Sequence, residues 1–97
     1  MLLPDGWQPV DGRMAQLLLE ELRTEIGNGH VLSGANAKVI ARRNDVDDVV
    51  LLLDDGRAVE VHLTWRETQE PKPEWPRSET FESVESWAKA RVSVSKR

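Results

Sequence analysis

The sequence contains no cysteine and no tyrosine, and its only phenylalanine is Phe81. Without cysteine there can be no disulfide, no thiolate nucleophile and no cysteine-based zinc site. Long apolar stretches are also missing. The longest uninterrupted run is Val49 to Leu53, far short of the roughly 20 residues a membrane-spanning helix needs. The opening MLLPDGW shows neither the basic region nor the apolar stretch of a signal peptide. These absences predict a soluble, cytoplasmic protein that does not engage a membrane. Its 97 residues suit one domain, expected to span 1–97, with a core over about 10–92 and a frayed tail at 93–97.

An excess of positive charge is lacking too, and the net charge of −4 is unevenly spread. Residues 1–43 carry five acids and five bases, whereas residues 44–85 carry twelve acids against four bases. Only the end, with Lys89, Arg91, Lys96 and Arg97, is basic. Duplex affinity is largely electrostatic, and an acidic middle repels phosphate backbones, so nucleic acid is not an expected partner.

What is present is pattern. In GRMAQLLLEELRTEIGNG, residues Met14, Leu17, Leu18, Leu22 and Ile26 recur at helical spacing, which predicts an amphipathic helix of about four turns. Asp11 is its expected N-cap, and Gly27 or Gly29 its stop. Three strands follow in NAKVIARR, DVVLLLD and RAVEVHLTW. Asp55-Gly56 reads as a two-residue type I′ turn, because both central positions of that turn need positive φ. Asp54 then opposes Arg57, Leu52 opposes Val59 and Val50 opposes Val61. Side chains alternate across a strand, so Val50, Leu52, Val59, Val61, Leu63 and Trp65 form a core face under the first helix.

The opposite face collects Val49, Leu51, Leu53 and Ala58, followed by Glu60 and His62. A turn at Asn44-Asp45 adds Ile40, with Lys38 and Arg42 at the rim. A solvated sheet face normally reads polar, so this apolar one must be covered by the chain's own later segments or by another molecule. RETQEPKPEWPRSET, rich in proline and charge, reads as a long loop. TFESVESWAKARV reads as a closing helix with Phe81, Val84, Trp87, Ala88 and Val92 on one side, capped by Ser78 or Thr80. The expected fold is α+β: N-terminal helix, three-stranded antiparallel meander, long proline-containing loop, C-terminal helix.

Trp7, Trp65, Trp75 and Trp87 supply nearly all the aromatic surface. Each indole can bury about 150–250 Å², worth several kcal/mol at about 25 cal/mol per Å², against a whole-domain stability of about 5–10 kcal/mol. Trp65 and Trp87 are therefore read as core. Trp75, held between Pro73 and Pro76, reads as a lid over the core ahead of an exposed anchor.

Candidate chemistry is sparse. Glu60 and His62 sit two apart on one strand and share a face, the spacing of an acid/base pair, and with Trp75 they are the candidate ligand contacts. No cysteine and no G-x-S-x-G elbow supplies a nucleophile. His30 is expected either to dock back on the last carbonyls of the first helix or to bond the loop that follows it. NDVDD lacks the glycine and distal glutamate of a calcium loop, so no metal or cofactor is expected. The stretch DDVVLLLDDGRAVEVHLTW, then PEWP and FESVESW, resembles a group of small bacterial proteins of unknown function. Over roughly residues 45–88 that resemblance implies a bacterial origin and a shared fold, and it transfers no site.

Two readings of function follow. The first is a non-catalytic interaction module that binds a protein partner, or itself as a homodimer, through Ile40, Val49, Leu51, Leu53, Ala58, Glu60 and His62; an apolar centre with a charged rim is how interfaces are laid out. The second is a small-ligand binder or enzyme with a pocket near His62, Glu60 and Trp75. The balance is against an enzyme.

Overall fold

A computed structural model describes residues 3–26, 30, 32–43, 47–63 and 77–95. The fold is α+β, with two helices flanking a five-stranded antiparallel sheet. Strand β1 (Trp7–Pro9) precedes helix α1 (Gly12–Glu25); β2 (Ala37–Arg43), β3 (Asp48–Leu53), β4 (Ala58–His62) and β5 (Ser78–Phe81) follow, and α2 (Val84–Ser95) closes the chain. The strands lie in the order β1-β2-β3-β4-β5. The expected three-stranded meander forms the centre of this sheet, and two short strands extend it. WQP and SETF are too short and too polar to show a strand period, so only pairing to a neighbour makes them strands.

Helix α1 begins where its cap chemistry predicts. Asp11 is extended (φ −78°, ψ 172°) and its side chain accepts from the Met14 backbone N–H at 2.8 Å, which satisfies a donor the first helical turn leaves open. The helix stops at Glu25, with Ile26 already extended; Gly27 and Gly29 lie outside the described residues. Leu18 and Leu22 are buried, and Met14 and Ile26 pack at the margin. Leu17, expected on the same face, is 49% exposed. At about 100° per residue it lies a quarter turn from Leu18, and buried Glu21 and Glu25 share the covered side instead.

The β3–β4 hairpin departs from the expected register by one residue. Leu52 pairs with Ala58, Leu51 with Val59, Val50 with Glu60 and Val49 with Val61. The loop is Asp54-Asp55-Gly56, closed by Leu53 N–H to Arg57 O (2.9 Å) and Gly56 N–H to Leu53 O (3.0 Å), with Gly56 at φ 92°. This is a three-residue connection ending in a left-handed glycine, in place of the two-residue turn. Asp55 reinforces it by accepting from the Arg57 backbone N–H (3.0 Å) and guanidinium (2.7 Å). The backbone bond, ahead of the guanidinium, holds that carboxyl below its ordinary range. Its help to the turn is therefore present at neutral pH and fades as the pH falls through the carboxylate range.

A slip of one residue turns a strand over. Val49, Leu51 and Leu53 face α1 with Val59, Val61 and Leu63, and all six are buried. Val50 faces the other way, with Trp7, Ala41, Ala58 and Trp87. A bulge between Val39 and Ala41 leaves Ile40 half-buried against this second cluster. The expected patch of Ile40, Val49, Leu51, Leu53, Ala58, Glu60 and His62 is thus divided between the two sides of the sheet. Arg42, expected at its rim, faces α1 and contacts the Met14 sulfur.

Helix α2 begins at Val84, not Thr80, because β5 takes Ser78–Phe81. Its cap is Ser83, whose Oγ accepts from the Ser86 backbone N–H at 3.1 Å, in place of the expected Ser78 or Thr80. The helix runs through Ser95. The Trp87 indole meets Trp7 edge-on, with centroids 5.0 Å apart at 87°, over a floor made shallow by Ala41 and Ala58. Trp65, Trp75 and the asparagine turn expected at residues 44–45 lie outside the described residues.

Two measurements test this register. Leu51→Ala should cost about 2–5 kcal/mol in urea unfolding, whereas Leu52→Ala, at a half-buried position, should cost about 1 kcal/mol. The reverse order would restore the two-residue turn. Gly56→Ala should cost about 1–2 kcal/mol, from backbone conformation alone, since nothing lies within 4 Å of the added methyl.

Candidate functional site

The second face of the sheet changes character along its length. Beneath α2 it is apolar; toward the start of β3 and the end of β4 it becomes polar and charged. Asp48 and His62 are direct cross-strand partners, and Asp48 Oδ1 lies 2.6 Å from His62 Nδ1. One pleat further in, Glu60 lies between Val50 and Glu79. Asp48, Glu60, His62, Arg77, Ser78 and Glu79 line an open recess of about 350 Å³.

The partners of these groups separate two roles. Glu60 Oε1 accepts from Trp87 Nε1 (2.8 Å) and from Arg91 Nε (2.7 Å). Arg91 also donates to Glu79 Oε1 (3.2 Å), and its guanidinium lies 5.5 Å from the Phe81 ring centroid. Partial burial works against the charge on Arg91, but the bonds to Glu60 and Glu79 outweigh it and hold the group protonated. Glu60 is therefore occupied in fastening α2 to the sheet. His62 is not. Its side chain is half exposed while that of Asp48 is only 14% exposed, so a sheltered carboxylate orients an accessible ring. An ionised carboxylate only accepts hydrogen bonds, so Nδ1 carries the proton, and Nε2 has no partner among the described residues.

An imidazole held by a carboxylate can accept or donate a proton at Nε2. A hydrolytic triad also needs a nucleophile. Ser78 borders the recess, but it pairs with Val61, whose side chain enters the α1 core; Ser78 thus belongs to the opposite side of the sheet from His62. Among the described residues no group of three or more metal-binding side chains converges. His30 is buried and its Nδ1 accepts from the Leu32 backbone N–H at 3.0 Å, a bond to the loop, one of the two roles expected of it. A second recess, also about 350 Å³, lies between the end of α1 and residues 32–37, with Leu22, Leu32 and Leu51 in its lining. Its lining mixes apolar side chains with the polar Arg23, Ser33 and Asn36.

Of the residues singled out in the sequence, the structure brings together Glu60 and His62. Trp75 lies outside the described residues. Asp48, Glu79, Arg77 and Arg91 were not singled out. Asp48 was hidden by the register, because the two-residue turn would have placed Val49 opposite His62. No family model, curated protein or solved structure matches the chain, and no described helix is long and apolar enough to cross a membrane.

The imidazole tautomer is the first property to test. In the neutral ring, ¹⁵N shifts should place the proton on Nδ1 of His62, and Asp48→Ala should return the ring to the usual preference for Nε2–H. An Nε2–H ring in the unsubstituted protein would mean that the pair is not formed in solution.

Proposed function

We propose that the protein is a small non-catalytic binding module, and that the Asp48–His62 end of the second sheet face is its contact site for a protein partner. The observation that carries this reading is the Asp48–His62 pair itself: a sheltered carboxylate holding a half-exposed imidazole in an open recess. The apolar parts of both sheet faces are packed against the chain's own helices. What remains for a partner is therefore oriented and polar, and the acidic balance of residues 44–85 favours a partner that presents basic or hydrogen-bond-donating side chains. A homodimer built on Val49, Leu51 and Leu53 does not fit, since those side chains form the α1 core.

The same 2.6 Å contact favours a second reading, a small-ligand site or enzyme in which His62 serves as a base. The separation of Ser78 from that side of the sheet counts against acyl transfer, leaving ligand binding as its stronger form.

A photo-crosslinking residue in place of exposed Glu79, in cells of the source organism, separates the two. A discrete protein adduct is expected from position 79 and not from Asp54 at the far end of the hairpin. It should be lost in His62→Ala and Asp48→Ala, each checked for folding by circular dichroism. An adduct indifferent to both substitutions, or none, would overturn the protein-binding reading; an added mass of small-molecule size would favour the second.

A further inference from the structure

The two sides of the sheet are unequally held. The α1 side is filled by ten buried apolar residues drawn from α1, β2, β3, β4 and the segments beside them. Among the described residues the α2 side has five: Trp7, Ala41, Val50, Ala58 and Trp87. Trp87 is the sole contribution of α2 to those five, and Val84 and Ala88 only pack at the edge. The helix is joined to the sheet through Glu82-Ser83 alone, and it takes no part in the strand ladder. Its polar attachment is concentrated at Glu60 Oε1, which receives both Trp87 Nε1 and Arg91 Nε.

We infer that α2 is a separately opening cover on the second sheet face, fastened by the Glu60–Trp87–Arg91 junction. Lifting it breaks no sheet hydrogen bond. The described polar groups it parts, the Glu60 and Glu79 carboxylates, the Trp87 indole N–H and the Arg91 guanidinium, can all be taken up by water. Elements with few buried contacts open locally at a free energy below that of global unfolding, and by its described side chains α2 is such an element, whereas β3 and β4 are not. When α2 is open, the floor of Trp7, Ala41, Val50 and Ala58 becomes continuous with the Asp48–His62 recess, because Glu60 lies between them on the same face. The opening stands on the packing alone; only its use in partner binding rests on the function proposed above.

Hydrogen exchange on the full chain tests it. Amides of α2 are expected to exchange at least tenfold faster than those of β3 and β4. Glu60→Ala should speed α2 by a further tenfold or more with β3 and β4 little changed. Arg91→Met, which keeps the indole bond and guards against a misfolded Glu60 variant, should speed α2 by several-fold. Salt at 1 M should act in the same direction by screening the ion pair. Exchange of α2 in step with β3 and β4, or acceleration of all elements together in Arg91→Met, would overturn the inference. Exchange is read without a partner, so a failed crosslinking experiment leaves this result standing.

Discussion

Gly56, at a φ of 92°, decides which side of the sheet each residue of β3 occupies. In that conformation it completes a three-residue loop, the loop places Leu51 opposite Val59, and alternation does the rest. Val49, Leu51 and Leu53 enter the α1 core, where together with Val59, Val61 and Leu63 they make the larger of the two clusters. Val50 is left to floor the smaller one. Asp48 comes to stand across from His62 for the same reason. One backbone angle at a hairpin tip thus sets the main core, the room for two tryptophans on the other side, and the Asp48–His62 hydrogen-bonded pair at the sheet's end.

The second side shows how a small domain covers an apolar sheet face with little material. Ala41 and Ala58 lower the floor so that Trp7 and Trp87 can meet edge-on, an arrangement aromatic quadrupoles favour. Glu60 then faces the indole N–H, a donor that must be satisfied when buried. Arg91 supplies the charge that makes a carboxylate tolerable there, and Glu79 extends the pair toward solvent. A helix docked in this way is directional as well as adhesive, since Glu60 can accept from Trp87 and Arg91 together in one seating only. That is a reason for a polar anchor where an apolar residue of similar size would pack.

Much of the architecture could be read from the residues. The α1 stripe, its Asp11 cap, the three central strands and a closing helix bearing Trp87 all carry local signals strong enough to survive tertiary packing. The register of β3 did not, for a physical reason. Val49 to Leu53 is apolar at every position, so either facing buries good side chains, and alternation cannot arbitrate. Asp-Gly is compatible with both a two-residue turn and a three-residue loop, which differ only in whether Asp54 joins the turn. β1 and β5 were missed because strands of three and four residues owe their existence to a neighbour. Within the site, Glu60 and His62 were legible from spacing of two on one strand, while Asp48 and Arg91 come from other elements and needed the fold to place them.

The distinction between Glu60 and Asp48 bears on what the molecule is for. Glu60 is committed: it receives two donors from α2, and the second face depends on it. The Asp48–His62 pair is different. With half of the imidazole in water, such a pair contributes little to stability. It joins neighbouring strands that the ladder already holds. Yet sheltering Asp48 carries a desolvation cost, and what that cost secures is the direction of a ring whose outer nitrogen faces no described protein group. An interaction that adds little to the fold and fixes the orientation of an accessible proton acceptor is the feature on which the proposed binding role rests, and the open recess around it is where that proposal places the partner.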